Sequence, residues 1–511
     1  MDSNHEPTPR REAVGFTVAA IVFIALEITA LQASSMFTRP LWLDEIHKYL
    51  VVGQPLSDSM RSLAAGADFN PPAVFLLYRL VVLIVGDLSP VAARIVALAC
   101  VVAALATVYV LLRDQFSRWA AAVGALSVWA QQVVMHAAFE ARFYGPLLLS
   151  ATWFLLAVRG TARRSHTLVS GVWLALAAMI LCTVHYFGVL SWGIAVGSMV
   201  LFAVPSQRRV VVRRLLPALA GPVALAACVP LYFGQRASLT VPTWIPDVTV
   251  VEAIKLLAVF LLTLPLAIAL ACWALTYVLG WRGGVRAAPS TGSTLSLGPA
   301  LLLAQVAVPF VLALFSLLVL PATELRYWIV GAVATAPLVA LVMQRGTVWV
   351  RWIGTAGIVA ASVKTMRGEA ARADGFAQRV RDDVRMATQL TDSGAVVVAR
   401  WRDTLYPLLV ARPELRSRIP VLDSTPLDGL NPFFIVERDV SRTHQRLFGW
   451  PMIVTPAELE HVPAFYLMEP ENESAPTTAE FPRRAITRVA DRVFRLVRSD
   501  AAPTGSSAEP R

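Results

Sequence analysis

The segment 34–72 gathers side chains that can do acid–base chemistry. They are two adjacent acids with a nearby histidine, then a third acid and an amide before a proline pair: Asp44, Glu45, His47, Asp68, Asn70, Pro71 and Pro72. A carboxylate can take the proton of a hydroxyl as that hydroxyl attacks, and clustered carboxylates also suit hydroxyl groups or a divalent metal. The prolines stop a helix from running through the segment. A solvated acidic loop is the alternative interpretation.

Two arginines stand beside tyrosines at the ends of apolar runs. Arg142 is followed by Tyr144, and Arg326 is followed directly by Tyr327. A guanidinium presents a rigid fork of donors that matches phosphate oxygens, so both positions suit an anionic group. Aromatic residues of this kind are also typical of the membrane interface, and interfacial anchoring is the other interpretation of both sites.

The elements that must position these groups are apolar. Of 511 residues, 56% are apolar and 15% are charged, whereas soluble domains carry about 25% charged residues. This composition disfavours a cytosolic enzyme, a disordered chain and a disulfide-rich module. Residues 1–364 hold 25 basic and 14 acidic residues, while residues 365–511 hold 20 of each. The whole basic excess thus belongs to the apolar part, and a nucleic-acid partner is not indicated.

Eleven apolar runs predict membrane crossings, several of them shorter than a full span of about 20 residues. They lie near 14–33, 91–112, 119–138, 143–158, 167–186, 189–205, 215–233, 251–280, 297–320, 327–343 and 348–363. Arginine-rich loops alternate with loops of acids, aromatics and prolines, which places the arginine loops and the N-terminus in the cytoplasm. The short run 73–86 contains Arg79, and we interpret it as an interfacial or re-entrant helix.

The chain from residue 365 has ordinary charge density, with short β-like runs such as Ala395–Ala399 and Val493–Val497. We therefore expect an α-helical polytopic membrane protein with about eleven transmembrane helices and a small C-terminal α/β domain. Residues 1–364 would form the transmembrane catalytic domain, residues 365–500 an extracytoplasmic α/β domain, and residues 501–511 a disordered tail. The four cysteines lie in apolar runs without metal-ligand spacing, which favours buried hydrophobic positions.

Four segments in order resemble the GT-C glycosyltransferases, in particular bacterial mannosyl- and arabinosyltransferases related to the protein O-mannosyltransferases. They are Asp44-Glu45-Ile46-His47, Asp68-Phe69-Asn70-Pro71-Pro72, Glu140-Ala141-Arg142-Phe143-Tyr144 and Glu324-Leu325-Arg326-Tyr327. Asn70 stands where that family usually has histidine, so an acid or metal-binding role at this position is in doubt. The resemblance covers about residues 1–345 and implies a GT-C-like fold.

The resemblance implies a polyprenyl-phosphate-linked sugar as donor and a glycan, lipid or protein hydroxyl as acceptor. Transfer would invert the anomeric carbon on the extracytoplasmic face of a bacterial inner membrane. Asp44 would be the catalytic base; Glu45, Asp68, His47 and Asn70 would bind hydroxyl groups, with Glu45 and Asp68 also open as ligands of a divalent metal. Arg142 and Arg326, with Tyr144 and Tyr327, would bind the donor phosphate.

Two other classes of protein fit the apolar composition. A transporter or lipid flippase of an envelope glycan pathway would also cross the membrane many times. Such proteins often show internal repeats and polar groups near the bilayer midplane, whereas the polar groups here concentrate at one predicted face. A non-catalytic membrane subunit that presents the C-terminal domain would leave Asp44 dispensable. The sugar, the acceptor and any metal requirement are not readable from the sequence.

Overall fold

The chain is described from a computed structural model. It describes residues 9–86, 88–163, 167–241, 248–282, 296–319, 324–400, 402–423, 432–468, 481, 483–490 and 492–498. The predicted tail 501–511 lies outside these residues.

Most of the chain is helical. In the first half the helices are α1 (Pro9–Ala30), α2 (Ser35–Thr38), α3 (Leu43–Val52), α4 (Leu56–Ala64), α5 (Ala73–Val85), α6 (Pro90–Leu112), α7 (Arg118–Trp129), α8 (Gln132–Ala138), α9 (Tyr144–Arg163), α10 (Leu168–Val184), α11 (Gly188–Leu201), α12 (Arg208–Leu215), α13 (Ala220–Ala227) and α14 (Val229–Ala237). The later helices are α15 (Val250–Leu261), α16 (Leu264–Arg282), α17 (Leu297–Ala304), α18 (Ala307–Leu318), α19 (Thr335–Arg345), α20 (Val348–Asp392), α21 (Arg402–Ala411), α22 (Pro432–Phe448) and α23 (Pro456–Leu459). Short 3-10 helices cover Pro205–Gln207, Leu216–Leu219, Leu325–Ala334 and Pro413–Leu415.

All eleven predicted apolar runs fall on helical segments, because a helix satisfies its own backbone hydrogen bonds in an apolar solvent. Five described helical stretches are long and apolar enough to cross a membrane, and a sixth is the α15–α16 pair, bent by 63°. The short run 73–86 forms α5, which has 13 residues. The count of eleven crossings stays a prediction.

The chain divides into two units. The first, here called the helical unit, holds Met1–Thr38, Asn70–Tyr232 and Asp247–Ala373. The second, here called the sheet unit, holds Arg39–Phe69, Phe233–Pro246 and Asp374–Arg511. Helix α20 runs without interruption through residue 364, the end of the predicted transmembrane domain. The three predicted domain limits stay predictions.

Close backbone packing holds the helical unit together. Gly145 on α9 faces α6, and a Cβ atom on it would lie 2.8 Å from the carbonyl oxygen of Ala97. Small residues at such crossings let helices approach where the surroundings are apolar. Helix α6 begins at Ser89, whose hydroxyl accepts a hydrogen bond from the Ala92 amide, with Pro90 at the first helical position.

Several predicted cytoplasmic loops come together at one end of the helical unit. Arg113 donates to Glu12 at 2.9 Å, and Arg159 donates to Asp114 at 2.6 Å. The amide of Ser117 donates to the Gln344 side chain at 3.0 Å. These contacts place several arginine-containing loops at the same end of the helical unit, as the alternation of loops in the sequence predicts.

Among its described residues, the sheet unit contains six strands: β1 (Val397–Ala399), β2 (Val421–Leu422), β3 (Ile453–Val454), β4 (Ala464–Met468), β5 (Arg484–Ala490) and β6 (Val493–Arg498). Their order is β3-β2-β1-β4-β6-β5, parallel from β3 to β4 and antiparallel at the β6 and β5 end. This sheet, beside described residues that are mostly helical, confirms the predicted fold class. Both β-like runs named from the sequence lie on its strands.

Residues 39–69, most of the segment 34–72 that carries the candidate acids, fold as part of the sheet unit. Leu41, Leu43 and Ile46 are buried in one hydrophobic cluster with Tyr406 and Leu409. Apolar burial of this kind is worth roughly 1.5–3 kcal/mol for each large side chain. The segment that carries Asp44 is therefore held by apolar packing against residues from the C-terminal part of the chain, which its own sequence does not reveal.

Candidate active site

In the sheet unit, α3 presents the first acidic pair. Asp44 is half-buried, whereas Glu45 is buried and accepts hydrogen bonds from Arg39 at 3.1 Å and from the Trp42 amide at 3.2 Å. These two contacts commit one Glu45 oxygen to the start of α3. Asp44 is the more exposed of the two carboxylates, as a group that exchanges protons with a substrate must be.

His47 and Asp68 are also buried in the sheet unit. The His47 ring packs edge-on against His444, with 4.9 Å between ring centroids. Asp68 is 2% exposed and directly follows Ala67, whose carbonyl oxygen lies 3.1 Å from Nε2 of His444. Asn70, the residue in place of the family's histidine, is buried in the helical unit.

A metal centre at Glu45 and Asp68 finds no support in the geometry. Within the part of the chain that the structure describes, no three His, Cys, Asp or Glu side chains lie together as metal ligands. One oxygen of Glu45 is also committed to Arg39 and Trp42. We therefore derive no step through a metal.

In the helical unit, the two predicted arginines meet at one aromatic cluster. The guanidinium carbon of Arg326 lies 6.0 Å from the ring centroid of Tyr144 and 5.9 Å from that of Tyr327. That of Arg142 lies 5.3 Å from the centroid of Phe143. The Phe143 and Tyr144 ring centroids are 4.1 Å apart. All four residues predicted to bind the donor phosphate thus share one site.

Tyr144 is the buried centre of this cluster. It is 1% exposed, and its hydroxyl has no hydrogen-bond partner among the described residues. Arg326 and Arg142 both act electrostatically on that hydroxyl. Because a buried polar group without a partner is costly, the hydroxyl is a donor available to a ligand oxygen. His185 stacks on Phe143, 4.1 Å between ring centroids, and lines the same cluster.

A cavity of about 610 Å³ opens beside Arg326 in the helical unit. One wall is apolar and comes from the break between α15 and α16, including Val259, Phe260, Leu262, Leu264 and Pro265. The polar residues that line the cavity are Gln131, Gln132, His136, Thr263, Glu324, Arg326, Lys364, Thr365 and Arg372. Its volume lies within the range of about 300–1,000 Å³ typical of small-molecule sites.

His136, at the edge of this cavity, bridges two buried carboxylates. Its Nε2 lies 3.1 Å from Glu140 and its Nδ1 lies 3.0 Å from Glu369. Both ring nitrogens of His136 thus face carboxylate oxygens, which links α8 to α20. Arg372 forms a salt bridge with the same Glu369 carboxylate at 2.9 Å.

Four ionisable residues at or beside the cavity were not predicted from the sequence: His136, Lys364, Glu369 and Arg372. One signal was present, since His136 and Glu140 stand four residues apart, a spacing at which helical side chains meet. Lys364 and Arg372 lie on α20, beyond the last predicted crossing, where the sequence offers no reason to connect them with residues around 136 or 326.

Comparisons with known proteins agree with this arrangement. Residues 70–233 match the family model described as dolichyl-phosphate-mannose-protein mannosyltransferase. The crystal structure of ArnT from Cupriavidus metallidurans in the apo state superposes with a TM-score of 0.54 at 13% sequence identity. The superposition covers 96% of this chain and 99% of that one. No curated protein matches the sequence.

The family match and the superposition confirm the resemblance to the GT-C superfamily. The matched family region contains Asn70, Arg142 and Tyr144, and the superposition extends over nearly the whole chain. The findings support a membrane glycosyltransferase with a GT-C fold.

Proposed function

We propose that this chain transfers a sugar from a polyprenyl-phosphate-sugar donor to an acceptor hydroxyl, with inversion at the anomeric carbon. The reaction takes place on the extracytoplasmic face of a bacterial inner membrane, with the N-terminus in the cytoplasm and the C-terminal domain outside. The acceptor hydroxyl belongs to a glycan, a lipid or a protein.

The observation that carries this proposal is the buried Tyr144 hydroxyl, which has no hydrogen-bond partner among the described residues and lies within the electrostatic reach of two arginines. A phosphodiester oxygen supplies the acceptor that this hydroxyl lacks and the negative charge that Arg142 and Arg326 balance. The aromatic rings around them exclude water, which strengthens these interactions.

The cavity beside Arg326 suits the other parts of such a donor. A polyprenyl chain needs an apolar surface, and the helix break at Leu262–Leu264 provides one wall of that kind. A sugar needs several hydrogen-bonding groups, and Gln131, Gln132 and Thr263 line the same cavity. A single amphipathic ligand, with an apolar chain and a sugar, thus fits both the apolar and the polar residues that line the cavity.

The proposed reaction is a single displacement. The acceptor oxygen forms a bond to the anomeric carbon as the bond from that carbon to the phosphate oxygen breaks on the opposite side. Asp44 takes the acceptor proton, and polyprenyl phosphate leaves with the bonding electrons. Its phosphate gains negative charge in the transition state, so the fixed cations Arg142 and Arg326 stabilise that state more than the ground state.

The test uses the full chain reconstituted in liposomes with radiolabelled polyprenyl-phosphate-mannose or polyprenyl-phosphate-arabinose, and bacterial membrane extract as the acceptor source. We expect label in a new glycoconjugate together with release of polyprenyl phosphate, and we expect Asp44→Asn to abolish both. Movement of the labelled lipid across the bilayer without bond cleavage would instead identify a flippase. Full transfer by Asp44→Asn would exclude Asp44 as the base.

A further inference from the structure

The turn that carries Asp68 is held in place by α22 within the sheet unit. His444 on α22 is fully buried, and its Nε2 lies 3.1 Å from the carbonyl oxygen of Ala67, the residue before Asp68. On the other side of the ring, Nδ1 lies 2.9 Å from the Tyr406 hydroxyl. Three residues thus form a buried hydrogen-bonded chain that ends at the backbone of the Asp68 turn.

In this hydrogen-bonded chain, the chemistry of the groups determines which one donates in each bond. A carbonyl oxygen only accepts hydrogen bonds, so Nε2 of His444 must carry a proton and donate it to Ala67. With the ring neutral, Nδ1 then accepts from the Tyr406 hydroxyl. Tyr406 is also fully buried, and its ring lies 5.1 Å from Trp450, so the hydroxyl is fixed by packing. Tyr406 therefore selects the His444 tautomer that can hold Ala67.

A second close approach involves the same turn. Gly66 has φ +88°, and a Cβ atom on it would lie 1.9 Å from the Ser238 hydroxyl oxygen. The neighbouring Thr240 amide donates to Asp439 at 2.6 Å, and Asp439 lies on the same helix as His444. Helix α22 thus fixes the turn directly at Ala67 and indirectly at Gly66.

We propose that Tyr406 and His444 are positioning residues for Asp68, and that they orient its carboxylate for binding a sugar hydroxyl. This inference rests on the proposed glycosyl transfer. An acid that binds a hydroxyl must keep its direction while charge develops in the transition state, and a displacement of about 1 Å costs about 100-fold in rate. The C-terminal domain therefore contributes to the reaction through a hydrogen-bonded chain, without contact between that chain and the substrate.

The first test is Tyr406→Phe, which removes the hydroxyl and leaves the packed ring. We expect kcat to fall at least about tenfold with the KM for polyprenyl-phosphate-mannose nearly unchanged, and the unfolding temperature to fall only slightly, because one buried hydrogen bond is lost. Tyr466→Phe is the matched control, because it removes a tyrosine hydroxyl from β4 in the same unit, and it should retain the wild-type kcat. A kcat of Tyr406→Phe equal to that of the control overturns the proposal.

The second test separates positioning from folding. His444→Gln keeps an amide donor near the position of Nε2, whereas His444→Leu removes it. We expect the glutamine variant to retain much more of kcat than the leucine variant at equal protein level. In an Asp68→Asn background, Tyr406→Phe should cause no further loss of rate, because the chain acts through Asp68. Independent, multiplying losses would contradict the proposal.

A measurement without substrate keeps this inference distinct from the proposed function. Hydrogen–deuterium exchange over residues 62–70 should rise in Tyr406→Phe and remain at the wild-type level in Tyr466→Phe. If wild-type protein transfers no sugar from either donor, the proposed function fails, while increased exchange still shows that the chain holds the turn. If wild-type protein transfers sugar and Tyr406→Phe changes neither exchange nor kcat, only the positioning role fails.

Discussion

The role of a single side chain in this protein depends on its contacts as much as on its residue type. Glu45 and Asp44 are neighbours in the sequence, yet Glu45 is bound by Arg39 and by the Trp42 amide while Asp44 stays half-buried. His136 faces a carboxylate with each of its ring nitrogens, Glu140 on one side and Glu369 on the other. The residue types predicted a site, and the contacts give chemically similar side chains different roles.

The His136 bridge predicts a loss of stability when the ring is removed. The ring lies between the buried carboxylates of Glu140 and Glu369, which no longer share a partner once it is gone. We expect His136→Ala to lower the unfolding temperature in detergent. His461→Ala, at an exposed histidine, serves as the control and should leave it nearly unchanged. An equal effect of the two changes would contradict the bridge.

The two arginines of the aromatic cluster predict a kinetic defect. Arg326→Ala and Arg142→Ala should each lower kcat/KM for the polyprenyl-phosphate donor about 100-fold, because a charge-assisted contact to the leaving phosphate is lost. Arg345→Ala removes an exposed arginine from the same unit and should leave kcat/KM unchanged. Steady-state kinetics at matched protein level tests this. A fall in protein level as large as the fall in activity would mark the arginines as structural.

At the level of elements, apolar periodicity predicts where helices form but not where they break. Run 251–280 is continuous in the sequence, yet the chain bends by 63° between α15 and α16, and this break forms one wall of the cavity. Run 119–138 likewise divides into α7 and α8, and α8 carries His136. Pro265 marks the first break locally, because a proline has no backbone N–H with which to continue α15, whereas Ala130 and Gln131 at the second break give no such signal.

The crossing of α6 and α9 predicts different outcomes for two glycines on one helix. Gly145→Ala should destabilise the fold by about 1–3 kcal/mol and displace Tyr144, because its Cβ would meet backbone that cannot move aside. Gly160→Ala is the control, since a Cβ there would meet nothing within 4 Å; it should be neutral or stabilise by up to ~1 kcal/mol. Thermal unfolding and donor binding measure both. Equal effects of the two changes would contradict the close crossing.

At the scale of the whole molecule, the residues with proposed roles belong to two units. Asp44, Glu45, His47 and Asp68 lie in the sheet unit, and Asn70, Arg142, Tyr144, Arg326 and Tyr327 lie in the helical unit. The predicted catalytic domain that ends at residue 364 stays a prediction. In the structure, residues 39–69 belong to the unit that contains the C-terminal sheet.

The proposed orientation predicts which surface positions a membrane-impermeant thiol reagent reaches. Ser393→Cys should react in intact cells whose inner membrane is sealed, whereas Ser206→Cys in the arginine-rich segment should react only after permeabilisation. Both residues are exposed, and the four native cysteines are buried, so background labelling is small. Labelling of residue 393 only after permeabilisation would overturn the predicted side of the C-terminal domain.

The sequence by itself determined that this is a polytopic helical membrane protein with a small α/β part, and which residue types could do its chemistry. It did so because a bilayer requires long apolar helices, and because base and phosphate-binding roles require particular side chains. Only the tertiary structure decided that Arg142 and Arg326 share one cluster, that His136 bridges Glu140 and Glu369, and that His444 holds the Asp68 turn. These contacts join residues far apart in the chain, and their geometry depends on packing that no local pattern encodes.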